Sequence, residues 1–319
     1  MVIKQIKNSD EILRADEIIL VPYANKDNAN TGVNIKNSNG RIDLYLKNCC
    51  VALLSARHYN PDCDVALATN IDVPDKYLNI LRGHNIKIIK IPFDNFTFED
   101  RYPWNLAFYK ICVIDYVVKN YNYKYVSCMD SDVYVQSSFE NIWKECDYSI
   151  LLYDINHGLQ VRDYRLFVEE VTAFTGNNTL ITHYGGEFFA ANRENAKIII
   201  EKCKNIYNKI IAQNFVTTKG DEFILSLAAS QIKDRVKNAG AYIFRFWTGE
   251  FRLVSTCYMN NQVTVLHVPA EKERGMLRIY EKYIIKNKTP ANKTVYKTLR
   301  IDRIPLSLRL QQKAKKLLK

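Results

Sequence analysis

Short, almost wholly apolar runs alternate along the first half of the chain with longer stretches in which apolar residues recur every three or four positions. Glu17 to Tyr23 (with Ile-Ile-Leu-Val before Pro22), Asp64 to Thr69, Ile86 to Ile91, Tyr125 to Met129 and Tyr148 to Tyr153 have the length and continuity of strands buried on both faces. Between them, Ile42 to His58 carries Ile42, Leu46, Cys49, Cys50, Leu53 and Leu54 at helical spacing and is stopped by Asn60-Pro61-Asp62. Pro74 to Arg82 predicts a short helix. Asn105 to Lys119, opened by Pro103-Trp104, predicts a long one with Leu106, Tyr109, Val113, Tyr116 and Val117 on one face. Ala24 to Gly40 is rich in Asn, Asp and Gly and reads as a loop. Strand–helix repetition of this kind predicts an α/β fold with a mostly parallel sheet flanked by helices.

The second half is less regular. Ser138 to Glu145 reads as a small helix, and Arg162 to Thr175 fits helix or loop equally well. In His183-Tyr-Gly-Gly-Glu-Phe-Phe-Ala-Ala-Asn-Arg193 two glycines stand just before an apolar strand, where they permit close approach of a ligand or unusual dihedrals. Glu194 to Ala212 is an amphipathic helix, Lys219-Gly-Asp-Glu222 opens an apolar helix over Phe223 to Ser230, and Ala241 to Phe246 and Val263 to Val268 read as late strands. There is no internal repeat and no low-complexity linker. The one boundary signal is Pro269 to Gly275, which divides a domain of residues 1–270 from a basic, mostly helical extension of residues 271–319.

Charge changes the picture at that boundary. The net charge is +11, yet Lys272 to Lys319 alone holds 15 Lys or Arg against three acids, leaving 30 basic against 31 acidic residues before it. A nucleic-acid-binding enzyme more often spreads its cations over the working face, so a basic tail on a neutral body points to an anionic membrane surface or an acidic partner, and not to nucleic acid. Along Ile301 to Lys319, Leu306, Leu310, Ala314 and Leu317 share a helical face bordered by Arg309, Lys313 and Lys316. That suits an interfacial helix on an anionic leaflet; the plainer alternative is a helix packed on the body with a solvated basic rim. The start of the chain is polar, no run of about 18 apolar residues occurs, and eight cysteines form no Cys-x-x-Cys pair. These features predict a cytoplasmic protein in a reducing compartment, peripheral at the inner membrane face where the tail engages it.

The candidate chemistry centres on Asp130-Ser131-Asp132, which interrupts the apolar run Tyr125 to Met129 before Val133 to Val135 resumes it. Two carboxylates at the end of a buried strand are costly to desolvate unless a cation compensates them, and Mg²⁺ or Mn²⁺ is the natural partner. A solvated Asp-Ser-Asp turn is the bland alternative. In open α/β sheets ligands lie beyond the carboxyl ends of the strands, which is where these residues fall.

Four segments in order resemble the GT-A fold of nucleotide-sugar glycosyltransferases, most nearly glycosyltransferase family 8. They are the helix bearing Lys110 before the strand Tyr125 to Met129, Asp130-Ser131-Asp132 itself, Gly185-Gly186-Glu187-Phe-Phe-Ala-Ala-Asn192, and Val265-Leu266-His267 followed by Lys272. The family's Asp-Gln pair after the glycines is Asp221-Glu222 here, and its Gly then Lys-Pro-Trp after the histidine is replaced by Val268-Pro-Ala-Glu-Lys-Glu-Arg274.

The resemblance implies that Asp130 and Asp132, with His267, hold a metal bridging the diphosphate of a UDP-sugar donor. It implies that Lys272, or Arg274 in a shifted register, and Lys110 contact the phosphates. Tyr23 and Asn25, with Asp27 beyond them, would flank the base. Gly185, Gly186 and Glu187 would line the sugar pocket, and Ser131 would sit between the metal ligands. Each also has a plainer reading: His267 as the cap of a core strand, Lys110 and Lys272 as solvated cations, and Asp221 and Glu222 as acids at a helix N-terminus.

The expectation is a metal-dependent hexosyltransferase acting on a hydroxyl of a surface glycan or lipid-linked saccharide. The resemblance leans toward retention of configuration; Asp221 and Glu222 are the base candidates if configuration is inverted, and Glu187 or Asp221 would accept sugar hydroxyls. Alanine at Asp130 or Asp132 is expected to abolish turnover and leave the fold intact. The alternatives are a sugar-1-phosphate nucleotidyltransferase, for which Val21-Pro-Tyr-Ala-Asn-Lys26 lacks a Gly-rich phosphate loop, and a non-catalytic glycan-binding protein on the same fold.

Overall fold

The computed structural model describes residues 15–26, 40–99, 102–156, 161–178, 180–248, 257–302 and 306–317. Asp27, most of the expected loop up to Gly40, and the N-terminal residues before position 15 lie outside them, as do the side chains of Arg309, Lys316 and Leu317.

The first half follows the apolar pattern closely. Strand β1 (Glu17–Tyr23) leads to helix α1 (Arg41–Tyr59), β2 (Asp64–Thr69), α2 (Asp75–Gly83) and β3 (Lys87–Lys90). A 3-10 turn (Asn105–Phe108) opens α3 (Tyr109–Asn120), followed by β4 (Tyr125–Met129), β5 (Val133–Val135), α4 (Glu140–Cys146) and β6 (Ile150–Asp154). Val161–Thr175, which the sequence left undecided, is a helix (α5). Then come β7 (Tyr184–Asn192), α6 (Arg193–Ala212), α7 (Asp221–Ser230), a short β8 (Val236–Asn238) with no apolar signal of its own, β9 (Ile243–Arg245) and β10 (Val265–His267).

The large sheet has the order β3-β2-β1-β4-β7-β6-β8, in which β7 alone runs antiparallel to both its neighbours. This is the Rossmann-like, mostly parallel sheet flanked by helices that the sequence predicts. Alternate residues of β1 explain why it reads as a continuous apolar run. Ile19 and Val21 join a core with α1, while Ile18 and Leu20 join a second core with α3 and α6. Full burial on both faces removes the polar alternation of a half-exposed strand.

Chain order reverses between β1 and β4, since β1 is followed by β2 on one side while β4 lies on the other. The crevice at such a switch point, beyond the strand C-termini, is where this class of sheet binds ligands. The three-stranded sheet β5-β10-β9 sits there. Beyond it, α8 (Gly275–Ile279), a π-helical turn (Tyr280–Ile284) and α9 (Asn292–Thr298) bury Met276, Ile279, Tyr280, Val295 and Leu299 in the α1-side core, and α10 (Leu306–Leu317) follows. Among the described residues no helix is long and apolar enough to cross a membrane, and the seven cysteines whose side chains are described are buried and unpaired.

Candidate active site

Asp130-Ser131-Asp132 is the joint between the two sheets. Asp130 donates its backbone N–H to Glu187 O of β7 at 3.1 Å, while Asp132 O accepts from Val268 N at 3.0 Å. Val133 then pairs with His267 across the antiparallel β5–β10 ladder. That register brings a histidine from 135 residues downstream beside the second aspartate. His267 Nε2 lies 3.3 Å from Asp132 and 3.9 Å from Asp130, and one ligand atom from each of the three residues falls within 4.8 Å of the others.

Two cations hold this corner. Lys272, after a 3-10 turn at Pro269–Glu271, is ion-paired with Asp132, and its carbonyl accepts from Asn48 of α1 at 3.2 Å. Lys110, in the first turn of α3, lies 2.9 Å from Asp130 Oδ1 and 3.0 Å from Asp221 Oδ2. Burial would raise the Asp132 carboxyl, but Lys272 and His267 more than offset it and hold it well below the usual range. Burial would lower the imidazolium of His267, but Asp132 and Glu187 together push it up to about 9. The cluster is thus an acid-rich corner whose carboxylates are neutralised by nearby cations, and its mixed oxygen and imidazole donors suit a divalent metal ion.

Gly185 and Gly186 stand inside β7, not before it, and they do not line the cavity. A Cβ at Gly186 would lie 2.1 Å from Asp221 Oδ2 and 2.6 Å from Lys110 Nζ; one at Gly185 would lie 1.8 Å from Glu187 Oε2 and 2.7 Å from Arg245 Nη2. The glycines therefore make room for two ion pairs, Lys110–Asp221 and Arg245–Glu187, of which Lys110, Asp221 and Arg245 reach the cavity. Glu187 does not line it. Its side chain is inaccessible, and it accepts from Arg245 Nε and Nη2 at 2.6 Å each, with His267 Nδ1 3.3 Å away. Burial opposes ionisation of Glu187, but Arg245 outweighs it and keeps the carboxyl low.

At the start of α7 the two expected acids part ways. Asp221 is pushed up to about 7 by burial, with Glu222 and Asp130 adding repulsion and Lys110 opposing it. Glu222 is lowered: burial is outweighed by His183 and Arg245.

A cavity of about 410 Å³ opens over these groups, lined among others by Asp130, Ser131, Asp132, Asp221, Glu222, His267, Lys110 and Lys272. Tyr23 and Asn25, expected beside the base, also line it; Tyr23 stacks on Tyr45 at 5.6 Å, and Asn25 is pinned through its backbone to the Asn70 amide at 2.9 and 2.8 Å. Arg274 is exposed and does not line the cavity; in the register present it is Lys272 that enters the site. Arg41, Tyr45, Trp104, Arg245 and Trp247 line it without having been singled out from sequence. Of these Arg245 carried a signal in principle, as a cation inside an apolar strand, Ala241 to Phe246.

No family model matches the chain, and no curated protein matches it significantly. Among solved structures, the crystal structure of mouse xyloside xylosyltransferase 1 in its apo form is similar to it, with a TM-score of 0.49 at 10% identity over 79% of this chain and 96% of that one.

Proposed function

We propose that the protein is a metal-dependent glycosyltransferase of GT-A type that uses a nucleotide sugar, with UDP as the nucleotide. The observation that carries this reading is the Asp130–Asp132–His267 cluster at the switch point of the sheet, open to a cavity lined by cations and aromatic rings. Asp130, Asp132 and His267 would hold Mn²⁺ or Mg²⁺, which when bound neutralises charge on the departing diphosphate. Lys272 and Lys110, now paired with those aspartates, are within reach to turn toward phosphate oxygens. Tyr23, Tyr45 and Asn25 surround the space at the end of β1 where a base would lie. Asp221 and Glu222 also line the cavity, where they would accept hydrogen bonds from sugar hydroxyls. Among the described residues that line the cavity every carboxylate is held in an ion pair, so retention with the leaving phosphate taking the acceptor's proton is the mechanism we favour.

The test is a thermal-shift titration of UDP and UDP-hexoses with and without Mn²⁺. A ligand that binds only the native state at 100 times its Kd stabilises by about 2.7 kcal/mol. A shift that needs both nucleotide and Mn²⁺ is the expected result; no shift with any nucleotide would remove the donor site and leave a glycan-binding protein on this fold as the better reading.

For the acceptor we propose a surface glycan or lipid-linked saccharide met at an anionic, cytoplasmic membrane face. α10 supports this by leaving Leu306 and Leu310, one turn apart, 70% and 57% exposed, with Lys313 exposed beside them. The protein should sediment with vesicles containing phosphatidylglycerol, less so as salt rises, and Leu306→Asp/Leu310→Asp should weaken this. Equal sedimentation with purely zwitterionic vesicles, or none with either kind, would count against the membrane reading.

A further inference from the structure

Glu222 is gripped from two sides by residues that no part of the donor site requires. His183, immediately before β7, is 2% exposed and places Nε2 3.0 Å from Glu222 Oε2. Arg245 Nη2, at the end of β9, lies 3.2 Å from Glu222 Oε1 while the same guanidinium is bidentate on Glu187. The His183 ring lies flat against Phe167 of α5, with centroids 4.1 Å apart and planes 2° from parallel. Tyr184 N donates to Ser226 Oγ at 2.9 Å, one turn beyond Glu222 on α7. Histidine and glutamate are thus fixed on two elements that are tied to each other.

The hydrogen-bond inventory decides what Glu222 can recognise. His183 Nδ1 is buried and has no partner among the described residues, so Nε2 is the nitrogen that carries the proton and donates. Each carboxylate oxygen of Glu222 then receives one donor from the protein and keeps acceptor capacity, and Glu222 lines the cavity. An ionised carboxylate only accepts, so its ligand must present hydrogen-bond donors, which on a neutral hexose are its hydroxyls. Glu222 is itself an anion, and the guanidinium beside it is already bidentate on Glu187, so an ionised carboxyl of a sugar placed against Glu222 meets like-charge repulsion.

We propose that Glu222 is the sugar-reading residue of the site, that His183 is the positioning residue that aims it, and that together they select a neutral, hydroxyl-bearing hexose over a uronic acid. This rests on the nucleotide-sugar reading above. His183→Phe keeps the flat ring against Phe167 but removes the donor; His183→Gln restores an N–H at the position of Nε2.

The experiment measures affinity for UDP and for UDP-glucose, UDP-galactose and UDP-glucuronate in Mn²⁺ by calorimetry. In the native protein the best neutral UDP-hexose should bind more tightly than UDP-glucuronate. His183→Phe should leave UDP affinity unchanged while reducing the advantage of that hexose about 10- to 100-fold, the range for a hydrogen bond to a charged group. His183→Gln should recover most of it. If UDP binds but His183→Phe leaves the hexose preference untouched, or if UDP-glucuronate binds best, the His183–Glu222 assignment is overturned while the donor site stands. If UDP itself does not bind with Mn²⁺, the nucleotide-sugar reading falls and this inference with it. Should His183→Phe melt early, the native-to-Gln comparison decides: a Gln variant with native stability and no hexose preference also overturns the role given to this N–H.

Discussion

Replacing Asp130 by Asn should lower transfer from the stabilising UDP-hexose by about 10³-fold, the loss of several kcal/mol of charge stabilisation at the leaving diphosphate. The same variant should lose its Mn²⁺-dependent thermal shift with UDP, a readout that does not need the acceptor. Asp130 is the better test of the two aspartates. Its carboxylate is 28% exposed and pairs with Lys110, which keeps a second partner in Asp221 when Asp130 is neutral. Asp132 is different. It is 1% exposed and is the carboxylate that neutralises the buried Lys272. Alanine there would leave a buried ammonium without its partner, so the alanine variant is expected to keep the fold at Asp130 and to destabilise it at Asp132. Undiminished turnover in Asp130→Asn, with Mn²⁺ still required, would remove this residue from the metal site.

Arg245→Met should destabilise the protein by about 3–5 kcal/mol, the usual cost of stripping one partner from a buried ion pair. Glu187 would keep an inaccessible carboxylate with only His267 nearby, and Glu222 would keep His183 alone. Denaturant unfolding measures this directly. Glu187→Gln in the Arg245→Met background should recover part of the loss, because the pair then no longer holds an uncompensated charge. A single variant as stable as the native protein would show that the guanidinium contributes nothing net to the fold. Arg245→Met should also weaken hexose selection with the same sign as His183→Phe, since both residues grip Glu222.

Parts of this site were legible in the sequence because they are local. The strand before Asp130 is apolar at every residue but Ser127 since it is buried between two cores, so its abrupt end in two acids stands out. Helices α1, α3 and α6 repeat their apolar residues with the helical period because one face of each packs on the sheet. Other parts were not legible. Gly185 and Gly186 read as ligand-approach glycines, because a glycine pair beside a strand looks the same whether a sugar or an ion pair fills the space above it. β8 has no apolar pattern, as it is a largely exposed, three-residue edge strand paired with β6.

The sequence by itself determined the alternation of strands and helices, the acidic interruption at residues 130–132, and the concentration of positive charge after residue 271. Each depends on neighbours in the chain, through the period of burial or the local cost of placing charge. The tertiary structure alone decided which distant groups share a charge balance. It set His267 beside Asp132 through the β5–β10 register, Lys272 in the site where Arg274 is exposed, and Arg245 between Glu187 and Glu222. It also separated Asp221, raised to about 7, from Glu222, lowered beside it. The physical reason is range. Apolar burial is written residue by residue along an element, whereas the energy of a buried charge depends on whichever opposite charge the fold brings within a few ångströms.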